Sequence, residues 1–387
     1  MFLFDIFGIR NAYPFTVQHK VTVGGFFLSK RFTPRELGIW LGTMDPGPNN
    51  DISDVPKVFV GHVSLLSGNG MLIPGKGPVR TGVTAILPRG TTNIYRQPCK
   101  AGIEVFNGYG KSIGVPFIQE TGLLNSPIML TNTLSVPNVA NGLLTYLLKH
   151  NPEIGDDART PNLLVFECDD SYLNDIRGRH VLSSDALLAI QRATTGPIDQ
   201  GNIGAGVGMS CFQFKGGIGS SSRLVKRANG QIYTLGMLAL ANFGLRKDLL
   251  IEGVPVGSCL SVDNEDYVPG SLILLGVTNA PLSRWQLSRL ARRAVLGQAR
   301  TGSISMFGSG DFCLMVSNAF FDDENRFSDW ELDDYYRAVV ETSAESIWNA
   351  LFLAETLEGR DGHVRRAIPI KQSLEILKQW PRTYKFD

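Results

Sequence analysis

The chain has 387 residues, with 37 Lys+Arg against 36 Asp+Glu and a formal net charge of +1, a balance that leaves no electrostatic footprint for nucleic acid or for an anionic membrane. At 43% hydrophobic and 19% charged residues, it can bury a large core, which excludes disorder over most of its length. Its 42 glycines and 20 prolines imply many tight turns, and hence many strands.

The opening MFLFDIFGIR is apolar but is interrupted by Asp5 and Arg10 and is followed by no small-residue cleavage site, so no signal peptide is expected. No stretch approaches the roughly 18 apolar residues of a membrane span. Thr33-Pro34-Arg35-Glu36 has the form of a capping box with proline at the first helical position, which predicts a short helix through ELGIW. NNDISDVPKVFVGHVSLL alternates and then runs apolar, and TGVTAILPRG is an apolar run closed by Pro88 and Gly90; both read as strands of a buried sheet. Residues 139–149 and 185–192 show apolar spacing near 3.6, the second after the candidate caps Ser183 and Ser184.

Between Gly201 and Gly219, seven glycines fall in nineteen residues. Such density suits a phosphate cradle, an oxyanion site or bends between curved strands. Neither G-x-G-x-x-G nor G-x-x-x-x-G-K-[ST] reads out of it, which favours sheet geometry. Residues 252–269 are polar and acidic, as in an exposed loop. The pattern then switches: Gly270-Ser271 leads into the apolar run LILLGVT, followed by Asn279 as a candidate N-cap and Pro281 in a first helical turn. The helix predicted next, LSRWQLSRLARRAVLGQAR, places Leu287, Leu290, Ala291 and Ala294 on one face. A further strand, DFCLMVSN, follows FGSG, and helix-forming segments run from Ser328 to near Gly359. Strands and helices interleave without a strict β-α-β order, and no internal repeat is visible.

Among chemically capable residues, His19, His62, His150, His180 and His363 are scattered and form no metal-binding pair. Cys99, Cys168, Cys211, Cys259 and Cys313 are odd in number and never form C-x-x-C, so neither a zinc ribbon nor a disulfide framework is expected; a reducing, cytoplasmic setting is. Cys211 stands among strand-like apolar residues and reads as buried and inert. G-x-S-x-G is absent. A serine needs no histidine if it begins a chain, because its own α-amino group, with a pKa of about 7.7 to 8.0, can accept the hydroxyl proton. Of five Gly-Ser steps, only Gly270-Ser271 joins an acidic loop to a buried strand. The pattern alone leaves it open whether this is a self-cleaving junction or an ordinary one.

At this point the chain resembles the DmpA-type aminopeptidases, also described as L-aminopeptidase/D-esterases and β-peptidyl aminopeptidases. The resemblance is carried in order by DISDVPKVFVGHVSL, RTGVTAILPRG, GIEVFNGYGKSIG, SPIMLTNTLSV, FECDDSYLNDIRG, GNIGAGVGMSCFQFKGGIGSSSR, MLALANFG, GSLILLGVTNAPLSRWQLSRLARRAVLGQARTGS, FGSGDFCLMVS and LEGRDGHVRRAIP. It implies an N-terminal-nucleophile hydrolase with a four-layer α-β-β-α sandwich, a single catalytic domain over 1–387 that cuts itself at Gly270-Ser271 into chains 1–270 and 271–387. It makes Ser271 the nucleophile, Ser309 and Asp311 the pair that orients its amine and relays its proton, Asn242 an oxyanion donor, and Tyr172, or a position beside it, a second donor. It implies no metal or organic cofactor, small peptide, amide or ester substrates, and a homo-oligomer such as a tetramer.

An enzyme that stops after one residue needs a device that recognises the chain end, and a buried carboxylate facing the substrate ammonium is the simplest. Glu167 in FECDDSY and Glu120 in FIQETG are the candidates, with Asn132 of TNTLSV beside the same pocket. The sequence departs from the family pattern at Leu134, where the family has histidine, at Phe117–Gly122, and at Asn279, where it has aspartate. An acyltransferase of the same fold, or an uncleaved ligand-binding or assembly protein, are the competing readings.

Overall fold

Runs that are apolar on both faces must be covered on both, and this chain covers them by stacking two sheets between layers of helices. The computed structural model describes residues 31–260, 270–320 and 327–380, and every element below lies in the unit Phe32–Asp387. Along the chain, β1 is Phe59–Ser67, β2 Val79–Leu87, β3 Cys99–Gly108, β4 Leu123–Leu124, β5 Ile128–Asn132 and β6 Leu164–Cys168. A short hairpin, β7 Ser210–Cys211 and β8 Phe214–Lys215, precedes β9 Gly217–Lys226, β10 Ile232–Asn242, β11 Ser271–Thr278 and β12 Gly310–Ser317. The helices are α1 Val115–Thr121, α2 Val136–His150, α3 Ser183–Gln191, α4 Val256–Cys259, α5 Arg284–Ala291, α6 Ala294–Arg300, α7 Asp333–Phe352 and α8 Ile370–Gln379.

One sheet runs β1-β2-β5-β6 and the other β4-β3-β12-β11-β10-β9. Between them lies a core of Ile86, Leu130 and Phe166 against Leu240, Ile273 and Leu314. On the outer face of the first sheet, Leu143 and Ala186 of α2 and α3 pack with Val83 and Val165. On the outer face of the second, Leu287, Ala294 and Trp348 of α5 to α7 pack with Met237, Leu274 and Met315. The order of layers is therefore α-β-β-α, as expected, and every residue of β11 and β12 is buried.

The glycine-rich stretch serves close approach of backbones. A Cβ on Gly219 would lie 2.0 Å from the Ser346 carbonyl oxygen of α7, so β9 meets that helix only because this side chain is missing. Lys215 is fully buried in the same region, where its Nζ donates to the carbonyls of Gly206, Met209 and Gly216.

Four helix predictions differ from what forms. The Thr33 and Glu36 box forms, with each side chain accepting the other's backbone N–H, but only a 3-10 turn over Arg35–Leu37 follows, because Gly38 turns left-handed at φ 78°. Asn279 is not a helix cap: its Oδ1 accepts from Thr234 N, and Ser283 caps α5 in a box with Gln286. The helix predicted beyond it is two helices, α5 and α6, that break at Arg292 and Arg293. Likewise Ser183 falls inside α3 and Leu182 occupies the cap position, its N–H taken by Asp185. Half of the acidic segment before Gly270, residues 261–269, lies outside the described residues. Among the described residues, no helix is long and apolar enough to cross a membrane, and all five cysteines are free.

Candidate active site

Three strand ends converge on Ser271, the first residue of β11. Asn242, the last residue of β10, is its antiparallel partner, and Gly310, the first residue of β12, is its parallel partner. Gly270 fits because it has no side chain: an added Cβ would stand 2.1 Å from the Asn242 carbonyl oxygen and 2.6 Å from Phe243 Cα. The Gly270 carbonyl accepts from Gly310 N–H at 3.3 Å. A Cβ on Gly310 would in turn meet Gly110 Cα at 2.6 Å and Ser271 Oγ at 3.4 Å, so the bond between 270 and 271 has the Asn242–Phe243 backbone on one side and glycine backbone on the other.

Ser309 and Asp311 flank Gly310, and their side chains join, Ser309 Oγ donating to Asp311 Oδ1 at 2.5 Å. Asp311 is fully buried. Its other oxygen, Oδ2, accepts from Gln298 Nε2 at 3.1 Å and closely from Ser305 Oγ. A carboxylate buried at this depth is tolerable only with such donors.

Asn242 is oriented by two backbone contacts, Oδ1 accepting from Ser210 N–H at 2.7 Å and Nδ2 donating to the Asp169 carbonyl at 2.8 Å. Tyr172 shares with it a small pocket whose other walls include Asp169, Ser210 and Arg365. The Tyr172 ring packs against His363, stacked at 4.5 Å, and against the Arg365 guanidinium, 3.7 Å from its centroid. A second small pocket is lined by Gly270 and Ser309, with Phe243 and Gly244 as walls common to both.

Glu167 reaches this region from β6 of the facing sheet. It is 2% exposed; Lys111 N–H donates to Oε1 at 2.6 Å, and Thr133 Oγ1 donates closely to Oε2. Burial pushes its carboxyl above the usual range despite these donors. Oε1 would lie 3.4 Å from a Cβ on Gly110, the residue that touches Gly310, so Glu167 stands one glycine away from the Ser271 step. Asn132 turns the chain that carries Thr133: its Oδ1 takes Ser135 N–H and its Nδ2 donates to Thr81 Oγ1. Leu134, on the same turn, is 42% exposed.

Glu120 is not brought to the others. It is exposed on α1, and the Gly122 carbonyl just beyond it accepts from Ala101 N–H, whose residue pairs with Val316, six residues along β12 from Gly310. Six strand residues span about 20 Å. Cys211 is likewise set aside, since complete burial pushes its thiol far up. Gln298 and Ser305 were not anticipated. Gln298 had a signal, being a polar residue four beyond Ala294 on the apolar stripe; Ser305 had none.

A four-layer α-β-β-α sandwich with a serine at the head of a buried central strand is the arrangement expected of an N-terminal-nucleophile hydrolase. Comparison with known proteins agrees. Residues 50–365 match peptidase family S58. A beta-peptidyl aminopeptidase of Sphingosinicella microcystinivorans is 39% identical over 377 residues, which cover 90% of this chain and 92% of that protein. A crystal structure of a Pyrococcus horikoshii protein superposes with a TM-score of 0.86 at 47% identity, covering 91% of this chain and all of that one. The L-aminopeptidase D-Ala-esterase/amidase of Ochrobactrum anthropi, described as a variant of the Ntn hydrolase fold, gives 0.83 at 34% identity over 90% of this chain and 98% of its own. The chain belongs to peptidase family S58, and it is an enzyme, a peptidase with the Ntn-hydrolase fold.

Proposed function

We propose that the protein is a self-processing serine aminopeptidase that releases a small N-terminal residue from peptides, amides or esters. The observation that carries the reading is the position of Ser271, at the head of a fully buried strand, behind a glycine whose carbonyl already accepts a backbone N–H. In the precursor, Ser271 Oγ attacks the Gly270 carbonyl carbon while Gly310 N–H stabilises the developing negative oxygen. The C–N bond breaks, the nitrogen takes a proton and becomes the Ser271 α-amine, and water hydrolyses the resulting ester to leave Gly270 with a carboxylate.

The new amine then serves as base for its own hydroxyl, which attacks the substrate carbonyl. Ser309, its hydroxyl donating a hydrogen bond to the Asp311 carboxylate, offers lone pairs to the amine and relays the amine's proton to the leaving nitrogen. An N–H of Asn242 Nδ2 and the Tyr172 hydroxyl are the proposed donors to the oxyanion, and water releases the acyl group. The ionised Glu167 carboxylate pairs with the substrate ammonium, with Asn132 holding the turn beside it. No cofactor enters. Assembly of cleaved chain pairs into a homo-oligomer and a cytoplasmic location belong to the same proposal.

Intact mass and N-terminal sequencing of purified protein are expected to show two chains of 270 and 117 residues, the smaller beginning Ser-Leu-Ile-Leu-Leu. Ser271→Ala should abolish both the cut and the hydrolysis of alanine p-nitroanilide. A 387-residue chain that turns over normally would remove the mechanism, and a cut retained in Ser271→Ala would assign it to an external protease.

A further inference from the structure

Two local costs converge on the Asp311 carboxylate. The first is at Gln298. Its Nε2 faces Asp311 Oδ2 and Ser303 Oγ, each at 3.1 Å, while its Oε1 is buried without a partner. An orphaned buried acceptor is destabilising and needs a reason. Turning the amide over would let Ser303 Oγ donate to it but would aim an oxygen at the Asp311 carboxylate. Helix α6 permits no easy retreat either, because a Cβ on Gly297 would already lie 2.6 Å from the Val340 carbonyl of α7. The second cost is at Ser305, a non-glycine residue held at φ 51°, in the left-handed region that a side chain disfavours. That backbone turn delivers its hydroxyl to the same Oδ2. Neither feature is required to bury apolar surface, and both end at one oxygen.

We propose that Gln298 and Ser305 are positioning residues that fix the charged Asp311 carboxylate, so that Oδ1 remains an acceptor for Ser309. The inference rests on the Ser309–Asp311 relay proposed above. With Oδ2 occupied by two donors, the carboxylate cannot rotate, and Oδ1 stays turned toward Ser309. Ser309 therefore donates toward Asp311 and keeps its lone pairs for the Ser271 amine. A protonated carboxyl would donate to Ser309 instead and reverse that direction.

The test compares Gln298→Met, Ser305→Gly and Asp311→Asn with the parent, using alanine p-nitroanilide across pH and reading kcat, KM and Tm on fractions shown by intact mass to be equally processed. Gln298→Met keeps the shape and loses the donor; Ser305→Gly relieves the left-handed strain as it removes the hydroxyl. Each should lower kcat by roughly tenfold to a hundredfold, the scale of one hydrogen bond to a charged group. KM should hardly change, which separates lost positioning of the relay from lost substrate binding. Slowed processing at the parental Tm is the same result read on the first turnover. If Asp311→Asn keeps parental turnover, the relay itself is lost and the inference with it. If Asp311→Asn is inactive while both other variants keep the parental kcat, the relay stands and the positioning role is overturned, whatever happens to Tm.

Discussion

A buried carboxylate held by two neutral hydrogen-bond donors, with only the more distant positive charge of Lys111 acting on it and no ion pair among the described residues, can receive a cation. Glu167 has Thr133 and Lys111 N–H as its hydrogen-bond donors, and burial raises its titration above that of an ordinary glutamate, which is the cost that a substrate ammonium would offset. The pH dependence follows in sign: the ionised form binds the ammonium, so as pH falls through the raised range Glu167 protonates and KM rises, earlier on the acid side than an ordinary glutamate would give. In Glu167→Gln that acid-side rise should vanish and KM for alanine p-nitroanilide should increase about a hundredfold, while the N-acetyl form remains equally poor on both enzymes. An unchanged KM and an unchanged acid-side rise would leave Glu167 as an anchor for Thr133 and nothing more. Ser271, Ser309, Asp311 and Asn242 were legible because each lies inside a contiguous block of sequence. The block that Glu167 shares with Tyr172 favours it over Glu120, but what separates the two in space is the pairing of β3 with β12, a contact between residues roughly 200 apart in sequence.

At the scale of elements, the site depends on how closely β10 and β11 approach at their ends. Gly270→Ala puts a methyl against the Asn242 carbonyl and Phe243, so the two strand ends must part and carry the Asn242 amide away from Ser271. Overpacking of this kind costs about 1 to 3 kcal/mol, and processing should slow by tenfold or more, followed by gel densitometry of the precursor over time. Gly108→Ala is the control, because its added methyl would meet nothing nearer than Val105 Cγ1 at 3.8 Å; equal processing in the two variants would mean that strand approach does not set the rate. The strands themselves were readable, since LILLGVT and DFCLMVSN are apolar on both faces and short. Helix limits were less so. Asn279 and Ser283 are both good caps, and only the Thr234 amide, supplied by the neighbouring strand, decides that Asn279 serves the sheet. Nothing local announces that ARRAV will break at Arg292 and Arg293, which is where α5 ends over β3 and α6 turns to lie on α7.

Across the whole molecule, the proposed cut falls at the edge of the two central strands and separates them from their neighbours in chain but not in space. The sheet order β4-β3-β12-β11-β10-β9 puts the two strands of the 117-residue chain in the middle, with strands of the 270-residue chain hydrogen-bonded on both sides. The layer of α5 to α7 that covers this sheet also belongs to the smaller chain. Leu272, Ile273, Leu274, Leu275 and Val277 are at most 1% exposed; at about 2 kcal/mol each, their burial alone is worth about 10 kcal/mol, comparable with the entropy of holding two chains together, before β12 and Trp348 are counted. The cleaved enzyme should therefore run as one species in native size-exclusion chromatography and unfold in a single calorimetric transition, the chains parting only in denaturant. Uncleaved Ser271→Ala should show a Tm close to that of the cleaved parent, because the cut releases a strand end and leaves every sheet neighbour in place. Separation of the two chains under native conditions, or a resolved second transition, would show that the central strands are held less tightly than their register and burial require.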